Sequence, residues 1–173
     1  MPTKEVRAAA RACRDAFDFL VAEHGYRRRP TRFYAGGFSV DYLGSTVGVE
    51  VVWHLRDELF VWLMRLVGGV VPDRPIWIHR DTPLNWFALE DVEVTAGHVR
   101  QFPATRLYSL PDAENAELLA ANLRTYAADL LAGDLSRVPM LEALIRERVR
   151  RNAEIGWSVP RAEGDQRRLD PQA

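Results

Sequence analysis

From Lys4 to His24, apolar side chains recur at Val6, Ala9, Cys13, Phe17, Leu20 and Val21. Steps of three, four and one align them as a single stripe and predict a helix over this span. Thr3 supplies a capping hydroxyl, Glu5 complements the positive end of the dipole, and Gly25 stands where a left-handed residue closes a helix. After Gly25 the period falls to two. Residues Thr31 to Tyr34 predict a short strand that ends at Gly36-Gly37. Phe38, Val40 and Tyr42 then alternate with Ser39 and Asp41, and Gly44-Ser45 marks a turn. Val47, Val49, Val51, Trp53 and Leu55 alternate with Gly48, Glu50, Val52 and His54. A polar break at Arg56-Asp57-Glu58 precedes a third β-rich run, Leu59 to Val67. Connections this short imply an antiparallel meander.

The first two long strands each carry one strongly apolar face and one mixed face, the latter holding Asp41, Glu50 and His54. The third run is apolar on both sides, so it is expected in the middle of the sheet or under a second cover. Between Gly68 and Pro111 the pattern weakens among five prolines. Ile76-Trp77-Ile78 is a candidate strand there, and Leu89 to Val94 a helical turn or an edge strand. Helical spacing returns with Leu119, Leu123, Tyr126, Ala127, Leu130 and Leu131, predicting a helix from Asp112 to Ala132 that stops at Gly133. A last helix follows through Leu141, Ile145 and Val149, with Pro139 in its first turn. The fold class is therefore α+β: an antiparallel β-meander packed against N-terminal and C-terminal helices. Residues 1–157 are expected to form one domain, and the polar residues 158–173 a flexible tail.

Charge narrows the function classes. The chain has 23 basic against 24 acidic residues over 173 positions, without the basic excess of a duplex binder. No stretch reaches the apolar length of a membrane span, the opening residues lack a signal-like apolar run, and the cysteine is solitary. These features lead us to expect a cytoplasmic protein that binds neither nucleic acid nor membrane.

Motifs for chemistry are sparse. His24, His54, His79 and His98 show no paired metal-ligand spacing, and neither a nucleophile elbow nor a phosphate-binding glycine loop is present. Cys13 lies within the apolar stripe of the first helix and reads as a buried, inert thiol. No catalytic residue, metal or cofactor is assigned. Arg27-Arg28-Arg29 could meet an acidic partner, although a solvated charge run is the commoner use. Trp53 and Trp62 fit the sheet core, whereas Trp86 lies in a less regular segment where an aromatic can serve recognition.

The order of these features resembles a loose group of bacterial proteins common in actinobacteria. The resemblance rests on Ala16-Phe17-Asp18-Phe19-Leu20, on Gly25-Tyr26, on the strand meander and on Leu130-Leu131-Ala132-Gly133-Asp134, and it covers roughly residues 14–145. Some small proteins of this look accompany secreted toxins as immunity partners, so the resemblance implies a binding role and transfers no catalytic residue. The leading expectation is a non-catalytic protein-binding domain, immunity-like or regulatory. Its partner would meet the mixed sheet face at Asp41, Glu50 and His54, joined by Arg65, with Val52, Val61 and Leu63 as apolar neighbours and Trp86 as a further contact. The alternative is a small-molecule or enzymatic pocket between the sheet and residues 68–111, combining two or more of Asp41, Glu50, His54 and His79.

Overall fold

Helix α1 spans Lys4–Ala16, and the Thr3 hydroxyl accepts the backbone N–H of Val6 at 3.3 Å as its cap. The computed structural model describes residues 2–54, 59–75, 77–98 and 112–154. The expected helix to His24 breaks at Phe17-Asp18 and resumes as α2, Phe19–Ala22. The cause is packing. In one continuous helix Phe19 would stand roughly opposite the stripe of Val6, Cys13 and Phe17. The break lets Phe17, Phe19 and Leu20 all enter the core. Gly25 closes the segment with φ of 68°, a conformation that costs glycine little.

Among the described residues six antiparallel strands follow: β1 (Arg27–Arg28), β2 (Arg32–Tyr34), β3 (Gly37–Leu43), β4 (Val47–His54), β5 (Leu59–Arg65) and β6 (Trp86–Ala88). The sheet order is β1-β3-β4-β5-β6, and β2 pairs with the same edge of β3 as β1. This is the expected meander, with β5 inside the sheet. Two rows of the register define its faces. Val40, Val51 and Val61 align on one face, whereas Asp41, Glu50, Trp62 and Ala88 align on the other.

The remaining helices are α3 (Leu89–Thr95), α4 (Asp112–Tyr126), α5 (Ala128–Leu131) and α6 (Val138–Glu154). The predicted helix to Ala132 thus divides at Tyr126-Ala127, where Arg137 donates to the Tyr126 carbonyl at 2.6 Å. Leu89 to Val94 is helical, following directly from the short edge strand β6. Trp77 and Ile78 lie in no strand. Ile76, the polar break at residues 55–58 and the expected tail at 158–173 lie outside the described residues.

The helices pack on a single face. Buried side chains of α1 through α6 join one cluster with Phe38, Val40, Tyr42, Val49, Val51 and Leu63. Each large apolar side chain sealed there contributes about 1.5–3 kcal/mol. The Trp53 indole N–H donates to Asp112 at 2.9 Å, and the Tyr26 hydroxyl to the Leu131 carbonyl at 3.2 Å, pinning α4 and α5 to the sheet side. Among the described residues, no helix contributes a buried apolar side chain to the opposite face. The second, smaller cluster (Leu43, Met64 and Leu66, with Val71 and Trp86) seals only one end of that face.

Candidate functional site

Strand alternation delivers Ser39 and Asp41 from β3, Glu50, Val52 and His54 from β4, and Phe60, Trp62 and Met64 from β5 to the helix-free face. Asp41 and Glu50 are direct cross-strand partners, and they are only 4% and 9% exposed. Like charges so placed repel, and burial increases the cost. Arg32 resolves the conflict. The β2–β3 pairing sets Arg32 against Ser39, and its Nε donates to the Ser39 hydroxyl at 3.1 Å. One terminal nitrogen, Nη2, donates at 2.9 Å to both carboxylates. Arg29 approaches Asp41 at 3.9 Å, and Arg74 approaches Glu50 at the same distance. Even so, burial and Asp41 hold the Glu50 carboxyl above the usual carboxylate range, against the opposing pull of Arg32 and Arg74.

Arg74 also lies over the Trp62 ring, with its guanidinium carbon 3.6 Å from the ring centroid and 5.5 Å from that of Trp86. The Trp86 indole N–H donates to the Pro72 carbonyl at 3.1 Å, which fixes the connection that carries Arg74. Beyond this stack, Val52 and Trp62 are half-buried and Phe60 is 40% exposed. At the other end of the face, His54 stacks on Tyr34 with ring centroids 6.4 Å apart. The Tyr34 hydroxyl lies within 3.0 Å of the Phe38 carbonyl and 3.3 Å of the Trp53 carbonyl. Its ring occupies the space over Gly37 that any side chain would fill.

The structure therefore brings together Asp41, Glu50, His54 and Trp86 on one face and removes Arg65 from it. Arg65 pairs with Val47, so it shares the helix side of the sheet with Val61 and Leu63. There it donates to Asn85 at 2.9 Å and lies 3.5 Å from Glu142 of α6. The placement of all three follows from the register, in which Glu50 meets Trp62 and the odd-numbered residues of β5 face the helices. Trp53 is in the core as expected, while Trp62 is on the helix-free face beneath Arg74.

Sequence reasoning missed Arg32, Arg74 and Phe60. A usable signal existed for the first: two carboxylates on the same face of adjacent strands need a cation, and Arg32 precedes the Gly36-Gly37 turn at the matching parity. Arg74 sits in an irregular proline-rich stretch with no comparable signal.

The other candidates lie elsewhere. His79 donates its backbone N–H to Thr82 at 2.8 Å, and its carbonyl receives Arg146 of α6 at 3.2 Å. A cavity of about 410 Å³ lies between the start of α1 and the β2–β3 hairpin, lined by Pro2, Thr3, Glu5, Val6 and residues 33–36. None of Asp41, Glu50, His54 or His79 lines it. Among the described residues no three His, Cys, Asp or Glu side chains gather in a metal-binding group, and no helix is long and apolar enough to cross a membrane. Cys13 is buried, and burial together with the charge of Asp112 pushes its thiol up to about 12. Comparison of the chain with family models, curated proteins and solved structures finds no match.

Proposed function

We propose that this chain is a non-catalytic protein-binding domain, immunity-like or regulatory, that receives its partner on the helix-free face of the sheet. The observation that carries this reading is one-sided packing. Helices cover one face, while the other offers Phe60 at 40% exposure beside half-buried Trp62 and Val52. Aromatic and arginine side chains on a rigid sheet have the composition of interface hot spots, because they bury much area for little lost entropy. The carboxylates of the same face are engaged by Arg32, which suits a rigid binding surface better than proton transfer.

The test begins with cross-linking capture of a partner, followed by titration calorimetry of the purified pair. Phe60→Ser removes an exposed ring without disturbing the core and should weaken binding by about tenfold or more. Wild-type affinity in the folded Phe60→Ser variant would move the interface away from this face.

A further inference from the structure

The sign of charge that the helix-free face presents is the reverse of its sequence. Its strand carboxylates, Asp41 and Glu50, are buried. Arg27, Arg29, Arg32 and Arg74 are all exposed. Arg27 stands opposite Leu43, at the same parity as Asp41, and the other three arginines reach the carboxylates directly. Asp73, exposed beside Arg74, still leaves the described face positive. We infer that the partner segment received by this face is acidic, with carboxylates that meet the arginine layer next to an apolar side chain seated on Phe60 beside the Arg74–Trp62 stack. This inference rests on the protein-binding reading above and names the chemistry of the partner.

Three physical points support it. First, Arg32 is held in place before a partner arrives. Asp41, Glu50 and Ser39 fix Nε and Nη2 of Arg32, while Nη1 has no partner among the described residues. A guanidinium held in this way loses little entropy when it takes a further carboxylate. Second, Arg74 is oriented by the Trp62 ring, which leaves charge and an aromatic edge side by side. An acidic segment with one apolar anchor complements both. Third, the excess is local and small on a chain with net charge −1. That is enough to select carboxylates at close range and too little to track a phosphate backbone, which binds through many neutralised charges.

The probe is a display library of random peptides selected on the immobilised full-length protein, with binding of the enriched peptides measured in solution. Selection should enrich net-negative peptides that contain an apolar residue. Their affinity should fall about tenfold in Arg27→Glu and Arg29→Glu, and also as salt is raised to several times physiological strength. Arg27→Glu alters an exposed side chain on a two-residue edge strand, so a folding failure in the second variant leaves the first to decide. Enriched peptides that are neutral or basic, yet lose affinity in Phe60→Ser, would overturn the acidic partner and leave the protein-binding face standing. Failure to enrich any peptide sensitive to Phe60→Ser would overturn both. Tighter binding of a random single-stranded oligonucleotide than of the best acidic peptide would overturn the inference in favour of a nucleic acid.

Discussion

Asp41 and Glu50 face each other across β3 and β4, and the same nitrogen of Arg32 lies 2.9 Å from an oxygen of each. The pair is unfavourable by itself and tolerable only under its guanidinium. The stability of the face and the binding chemistry proposed for it are therefore coupled through one side chain.

Arg32→Ala should destabilise the chain by about 1–2 kcal/mol, less than the loss of a fully buried partner because the guanidinium is itself 57% exposed. Adding Glu50→Gln should recover part of that loss by removing the repulsion. Denaturant melts of wild type, both single variants and the double variant measure the coupling. Strict additivity would mean that Arg32 does not act through the carboxylates.

The raised Glu50 carboxyl gives a pH signature. The folded chain holds this proton more tightly than the unfolded chain does, so Glu50 contributes its full stability below the unfolded value of about 4.3. That contribution is lost as pH rises through the higher folded value. The melting-temperature difference between Glu50→Gln and wild type should therefore become more positive across this window and level off above it. A difference independent of pH would contradict the assignment.

Gly37 is required for space. A Cβ there would come well inside contact distance of the Trp53 carbonyl oxygen and 2.6 Å from the Tyr34 ring. Gly37→Ala should cost about 1–3 kcal/mol, as overpacking does, and should displace Tyr34 from His54. A thermal melt gives the first effect, and a change in the His54 ring chemical shifts gives the second. An unchanged melt would show that the hairpin yields easily.

Cys13 is 1% exposed, with its thiol pushed up to about 12. Ellman reagent should react slowly or negligibly with native protein and fully after denaturation. Rapid native labelling would place Cys13 outside the core.

What the sequence determined by itself was periodic and local. Alternation through Phe38, Val40 and Tyr42 and through Val47, Val49 and Val51 defined β3, β4 and their apolar face. The spacing of Val6, Ala9 and Cys13 defined α1, because each pattern is read within one element. It also put Asp41, Glu50 and His54 on a common side. Tertiary structure decided what depends on how elements meet. Register assigned Arg65 to the helix side and Trp62 to the other, since a shift of one residue exchanges the faces of a strand that is apolar on both. Packing broke the first helix at Phe17-Asp18, because Phe19 gains more from the core than the helix loses at the break. The charge of the helix-free face was decided the same way. The alternation exposes a row of acids on paper, but Arg32 and Arg74 arrive from an edge strand and a proline-rich connection and cover them. Burying those two carboxylates demanded cations. Strand parity before the Gly36-Gly37 turn points to Arg32, but the strand pattern carries no information about Arg74, which arrives from an irregular connection.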